Sequence, residues 1–146
     1  MVHALQEAQR VLKPNGILIE LRPAPEHRRL GLGEGRRWRP FGRLHERLDD
    51  DHAADAAVAQ VLRQGYFRRE RRITFQLDRV MDTMEELRAW MTDFDERRNL
   101  AAHTALLHRF ERSHARLEHP PKIVVRGPLR LAVLRKLSGP SSASKP

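Results

Sequence analysis

Residues 10–20, RVLKPNGILIE, constrain the fold of this chain more than any other segment. A helix is predicted over residues 3–13, because their apolar positions recur at helical spacing and Pro14 disfavours a longer helix. The Asn-Gly pair that follows tolerates the positive φ of a tight turn. The nearly continuous apolar run 17–21 then predicts a strand that is covered on both faces, as in a parallel sheet.

The rest of the chain predicts a mixture of helices and strands, and therefore an α/β fold. Residues 23–48 hold many glycines and arginines without a clear period, which predicts a long loop. The elements predicted after the loop are a helix over 49–64, a strand over 66–80, a helix after Thr83, a helix over 99–118, a strand region after 121 that breaks at Gly127-Pro128, and a disordered tail over 138–146.

Two patterns in the middle of the chain are specific enough to predict side-chain roles. Ile73, Phe75 and Leu77 alternate with polar residues, which predicts a strand with one buried face. Thr83 and Glu86 have the spacing of a capping box. The apolar stripe of the helix that they open consists of Met84, Leu87, Trp90, Met91 and Phe94.

The composition excludes several classes of site. The 146 residues suit one domain, and the absence of cysteine excludes disulfides, thiolate zinc sites and a thiol nucleophile. No apolar run approaches the ~20 residues of a membrane span, and the first residues lack the apolar core of a signal peptide. We therefore expect a cytoplasmic protein without a membrane partner.

The net charge of +9 has two explanations that the sequence leaves open. A positive field attracts nucleic acid and other anions. Arginine supplies 24 of the 28 basic residues, however, and a GC-rich coding sequence also enriches arginine without any functional content. We favour the compositional explanation and interpret the densest basic run, 68–72, as a solvated strand end.

The segment ALQEAQRVLKPNGILIE resembles the link between the fourth and fifth strands of class I S-adenosylmethionine-dependent methyltransferases, where it reads aL-x-E-x-x-RVLKPGG-x-L. Asn15 replaces the first glycine of the turn, a mild change because asparagine tolerates the same geometry. The matching residues are Ala4, Leu5, Glu7, Arg10, Val11, Leu12, Lys13, Pro14, Gly16 and Leu18.

The resemblance implies a partial Rossmann-like methyltransferase fold, with the fifth to seventh strands and a helical insertion over residues 1–137. In the family, the cofactor is held by a glycine-rich turn after the first strand, an acidic residue on the second, and a turn near the fourth. None of these elements fits before His3, so we expect a truncated domain that lacks the cofactor-binding half. The resemblance implies S-adenosylmethionine for a complete parent enzyme, but no cofactor-binding residue in this chain.

The loop after the fifth strand is the best candidate for a substrate-side site, because ligands of open α/β sheets lie beyond the carboxyl ends of the strands. Arg22, His27, Trp38 and Phe41 lie in or just before it. They contact a substrate or, in the interpretation we favour, pack over the sheet edge. No residue has the features of a general base, so the catalytic residues stay unassigned.

Two further motifs carry no site in our interpretation. The glycines of GLGEG, residues 31–35, lack the strand and helix flanks of a cofactor turn and indicate a flexible loop. His103, His108, His114 and His119 are spaced too widely to share a helix face, so we expect surface histidines and no metal.

The sequence thus predicts the C-terminal portion of a transferase, inactive alone, whose strand 17–22 has a bare edge that pairs with the missing N-terminal half or with a second copy. The alternative is a basic module that binds nucleic acid or oligomerises.

Overall fold

A computed structural model describes residues 1–93 and 100–137 of the protein. This part of the chain contains four helices and five strands, which confirms the predicted mixture of helices and strands. Most strand pairs are antiparallel, β1 with β5 among them, whereas the apolar run 17–21 predicted a parallel sheet. The helices are α1 (Val2–Val11), α2 (Asp49–Arg63), α3 (Met84–Thr92) and α4 (Leu100–His114). The strands are β1 (Ile17–Pro23), β2 (Arg29–Glu34), β3 (Arg37–Arg43), β4 (Phe67–Met81) and β5 (Lys122–Lys136).

The chain divides into two compact units. The described residues of the first unit are Met1–Ala24, Asp49–Phe75 and 129–137, so it holds α1, β1, α2, the start of β4 and the end of β5. The second unit consists of Pro25–Leu48 and the described residues of Gln76–Pro128. It holds the β2–β3 pair, α3, α4 and the remaining parts of β4 and β5.

In the first unit, β5 lies between β1 and β4. The register of the antiparallel β1–β5 pair runs from Ile17 opposite Arg135 to Pro23 opposite Leu129. At the end of β5, the Lys136 N–H donates to the Gly16 carbonyl at 2.8 Å, and the Leu137 N–H donates to the Tyr66 carbonyl at 3.0 Å. The strand order in this unit is therefore β1-β5-β4.

The predicted helix and turn around Pro14 are confirmed. Helix α1 ends at Val11, and Asn15 has a φ of 60°, the left-handed conformation that a KPNG turn requires. Apolar residues of α1 and α2 pack with β5 in one core. Its buried members are Leu5, Ala57, Val58, Val61, Phe67, Ala132 and Leu134.

The prediction that β1 is covered on both faces is wrong. Its burial alternates: Glu20 is buried, whereas Ile17, Ile19 and Leu21 are 45%, 65% and 56% exposed. Only one face of β1 is therefore packed, and the apolar run continues onto the exposed face. The apolar residues Ile73, Phe75 and Leu77 of β4 are likewise 38% or more exposed, so the buried face predicted for that strand is also wrong.

The predicted loop over 23–48 is instead an antiparallel hairpin, β2–β3. Its strands escaped detection because glycines interrupt the apolar alternation and a bulge shifts the register between Leu30 and Gly31. A Cβ at Gly31 would lie 2.4 Å from the Arg39 carbonyl oxygen, so this close approach requires glycine. The motif GLGEG thus forms a strand and a turn, at Gly35 with φ 57°, and the flexible loop expected there is wrong.

Strand β5 runs without interruption through Gly127-Pro128, where the sequence predicted a break. Its pairing partner changes at this point instead: β2 pairs up to Arg126 and β1 pairs from Leu129. A proline, which lacks an N–H donor, is tolerated because it falls between the two ladders.

The helices of the second unit follow the sequence closely. Thr83 is the N-cap of α3, and its Oγ1 accepts from the Glu86 N–H at 3.1 Å, which confirms one half of the predicted capping box. The Glu86 carboxylate reaches back as predicted, but its Oε2 accepts from the N–H of Asp82 at 2.8 Å rather than from that of Thr83. Helix α4 ends at His114, before the predicted end at 118. The core contains Leu30, Leu44, Met81, Leu87, Met91, Leu107, Phe110, Ile123 and Val125. Phe94 and the tail 138–146 lie outside the described residues.

Candidate functional site

The first unit contains an open cavity of about 420 Å³ that is lined mainly by charged side chains. Its apolar wall comes from α2 and β5, through Val58, Ala59, Leu62 and Ala132. The charged residues that line it are the arginines 22, 63, 69, 72 and 130 together with Glu20 and Asp55. Five guanidinium groups against two carboxylates make the cavity strongly electropositive.

Asp55 holds the floor of the cavity together. Arg22 on β1 and Arg130 on β5 are direct cross-strand partners, an arrangement in which like charges repel. Asp55 of α2 offsets this repulsion because it accepts hydrogen bonds from both guanidinium groups, with the two Arg130 contacts at 2.5 Å. Arg22 also forms an ion pair with Glu20. These four residues carry no net charge.

The pKa of Asp55 reflects these contacts. Burial raises the pKa of its carboxyl, but the hydrogen bonds from Arg130 and Arg22, together with their positive charges, lower it more. The pKa therefore lies below its ordinary value of 3.8, and Asp55 is ionised at neutral pH.

The floor retains polar atoms without hydrogen-bond partners among the described residues. They are both carboxylate oxygens of Glu20, Nε and Nη1 of Arg22, and Nε of Arg130. The Glu20–Arg22 contact is close, but its geometry is not that of a hydrogen bond. Buried polar groups usually form hydrogen bonds to protein, water or ligand, so these atoms of the floor can accept or donate further hydrogen bonds.

The rim of the cavity consists of three arginines from two elements: Arg63 ends α2, and Arg69 and Arg72 lie on β4. No carboxylate of the described residues pairs with any of the three. Arg135 differs from these three arginines, because it reaches from β5 to Glu70 on β4 and forms an ion pair at 2.5 Å. With a neutral floor, the rim gives the cavity a net charge of +3.

The structure separates the four residues that the sequence placed at a substrate-side site. Arg22 lines the cavity of the first unit. His27 and Trp38 line a different cavity of about 310 Å³ in the second unit, with Arg126. Phe41 packs edge-on against Phe110 in the core of that unit, with ring centroids 5.0 Å apart.

Trp38 contacts an arginine of the second unit that also forms an ion pair. The Arg126 guanidinium lies 4.3 Å from the centroid of the Trp38 ring, within the range of a cation–π contact. Arg126 also donates twice to the Asp78 carboxylate, at 2.6 Å each. These hydrogen bonds lower the pKa of Asp78 and raise that of Arg126. The ring face of Trp38 is thus engaged by the protein itself.

The predicted surface position is confirmed for His108 and His119, which are exposed, but it is wrong for His103. His103 was expected on the surface, but it is only 2% exposed and its Nε2 accepts the His45 N–H at 2.7 Å. His27 Nδ1 accepts the Glu46 N–H at 3.2 Å. Burial, followed by the charges of His45 and Arg43, lowers the pKa of His27. No group of side chains suited to a metal ion occurs among the described residues.

Sequence reasoning missed most of the cavity. The basic run 68–72 is visible in the sequence but indicates only a solvated strand end, and strict alternation along a strand would not bring Arg69 and Arg72 to one cavity. Asp55 and Arg130 carry no local signal, because their contact depends on how α2 packs against the β1–β5 register. The one available indication of unpaired arginines was that Arg69 and Arg72 have no acidic residue close in sequence other than Glu70.

Comparison with protein-family models found no matching family, and comparisons with curated proteins and with solved structures found no similar protein. Among the described residues, no helix is both long and apolar enough to cross a membrane.

Proposed function

We propose that the first unit is the C-terminal, substrate-side part of a class I S-adenosylmethionine-dependent methyltransferase domain. The strand order of this unit carries the proposal. In the family, the strand after the KPGG turn pairs with the antiparallel seventh strand, which lies between it and the sixth. Strands β1, β5 and β4 have this order, and β5 runs antiparallel to β1. The order agrees with the motif at residues 3–22, although the two observations are separate.

The positions of the second unit in the chain support the same proposal. Its two segments follow β1 and separate the first-unit parts of β4 and β5. These are the connections after the fifth strand and between the sixth and seventh strands, and the family has an optional helical insertion in the second of them. The second unit then consists of insertions, and Arg22 at the end of β1 lies on the substrate side.

One edge of β1 is open for pairing with a further strand. Within the described part of the chain, β5 is the one strand that pairs with β1. Gly16 and Lys136 form a hydrogen-bonded pair, and such pairs alternate along an antiparallel ladder. The backbone groups of Ile17, Ile19 and Leu21 therefore point to the open edge. We propose that this edge pairs with a polypeptide that supplies the cofactor-binding half, because the fifth strand of the family has the fourth as its neighbour there.

Light scattering on the purified chain tests this pairing. Exposed apolar strand edges associate, so without its partner β1 should pair with a second copy. We expect the average mass to rise towards a dimer with protein concentration. Ile19→Lys should keep the chain monomeric, because a lysine beside the edge opposes pairing and the residue is already exposed.

Leu117→Lys is the matched control, since it places the same charge at an exposed leucine of the second unit. This variant should associate like the unmodified chain. A strictly monomeric chain at all concentrations, or equal loss of association in both variants, would contradict the proposed role of β1.

A further inference from the structure

We propose that the arginine-lined cavity of the first unit binds a small phosphorylated molecule through Arg63, Arg69 and Arg72. This inference goes beyond the methyltransferase proposal and does not depend on it, because every residue that it uses lies in the first unit and is present in the chain alone.

The charge balance of the cavity favours a multiply charged anion. Arg22 and Arg130 are neutralised by Glu20 and Asp55, so they form the floor rather than the principal binding groups. The three rim arginines have no such partner among the described residues and bring three positive charges to one opening. A phosphate monoester or a diphosphate carries the two or three negative charges that this rim would neutralise.

Arginine also suits phosphate in its geometry. Its planar guanidinium presents N–H donors in a fork that matches two phosphate oxygens, and such charge-assisted pairs are stronger than neutral hydrogen bonds. Arg63 and the two β4 arginines approach from different elements, so they can bind different oxygens of one group. A single carboxylate would engage only part of this set.

The remaining walls indicate an organic body attached to the phosphate. Val58, Ala59 and Leu62 of α2 form an apolar wall beside the rim. The cavity volume of about 420 Å³ lies within the range of small-molecule sites, roughly 300–1,000 Å³. Among the residues that the structure describes, none that lines the cavity is aromatic, whereas single-stranded nucleic acid is usually bound by stacking on aromatic residues. A small phosphorylated molecule therefore fits better than a nucleic acid.

Isothermal titration with inorganic pyrophosphate at fixed ionic strength tests the site. We expect saturable binding at one site per chain. The double variant Arg69→Gln/Arg72→Gln should weaken it by at least about tenfold, because two charge-assisted contacts are lost. The control Arg36→Gln/Arg71→Gln removes the same charge from exposed arginines, one of them on β4, that do not line the cavity. It should change the dissociation constant less than about twofold.

A second variant makes the cavity more positive instead of less positive. Asp55→Asn removes a negative charge from the floor and releases two guanidinium groups, so it should tighten pyrophosphate binding in the folded fraction. Circular dichroism of each variant verifies that the samples compared are folded.

Titrations with ribose 5-phosphate and ADP distinguish a sugar phosphate from a nucleotide as the source of the phosphate. Binding of either that is lost in Arg69→Gln/Arg72→Gln and retained in the control supports the site. The inference is overturned if pyrophosphate does not bind, if both double variants lose affinity equally, or if a single-stranded oligonucleotide binds through these arginines while pyrophosphate does not compete.

Discussion

Asp55 stabilises the floor of the cavity, because its carboxylate accepts hydrogen bonds from two arginines that are direct partners across the β1–β5 pair. Replacing it with asparagine leaves both guanidinium groups without their shared counter-ion. Removing one partner of a fully buried ion pair costs about 3–5 kcal/mol. The Asp55 side chain is 34% exposed, so solvent screening reduces the expected loss for Asp55→Asn to about 1–3 kcal/mol.

The lowered pKa of Asp55 gives this contribution a definite pH dependence. The unfolded state binds a proton more readily than the folded state, so the stabilisation is complete above the unfolded pKa of 3.8. It is lost as the pH falls through the lower, folded value. Urea unfolding at pH 7 and along an acid series should therefore show a difference between the chain and Asp55→Asn that shrinks in acid. A difference that grows in acid would contradict this account.

Residue-level prediction from the sequence succeeded where the interaction is local. Thr83 and Glu86 are three residues apart, and their spacing alone predicts the hydrogen bond from the Glu86 N–H to Thr83 Oγ1 that the structure contains. Asp55 and Arg130 are 75 residues apart, and their contact requires a helix to pack over a specific strand register. No periodicity in either segment reports that register, so the centre of the cavity could not be predicted.

At the scale of elements, β1 combines a correct prediction with an incorrect one. The Pro14 turn and the apolar run identified the strand, but its exposed face could not be predicted because a run of apolar residues does not reveal which face is covered. The β2–β3 hairpin was missed for a different reason. Its glycines serve close backbone approaches, as at Gly31, and glycine in a strand resembles glycine in a loop.

Amide hydrogen exchange tests the open edge of β1 residue by residue. In the monomeric chain, the N–H groups of Leu18 and Glu20 should be protected, because they point to β5 in the alternating ladder. Those of Ile19 and Leu21 should exchange at rates close to those of unprotected amides. Raising the protein concentration should slow exchange at the second pair if copies associate through this edge. Uniform protection of all four amides at low concentration would show that β1 is not an edge strand.

At the scale of the whole chain, the cavity and the strand order lead to separate conclusions. All residues that line the cavity belong to the first unit, and their net positive charge predicts an anion as the ligand. Under the methyltransferase proposal that rests on the strand order, cofactor binding needs a further polypeptide, since the family holds its cofactor mainly through the first, second and fourth strands. The 146 residues hold equivalents of the fifth, sixth and seventh strands in this proposal.

The most direct test of the methyltransferase proposal is isothermal titration of the purified 146-residue chain with S-adenosylhomocysteine. Micromolar affinity requires about 8 kcal/mol of binding free energy, which depends on many coordinated contacts. In this proposal, the described first unit corresponds to the family's substrate side and not to its cofactor turn, so no micromolar binding is expected. A thermal unfolding transition in the same sample verifies that the chain is folded. A micromolar dissociation constant would contradict the account, because the cofactor site would then lie within these residues.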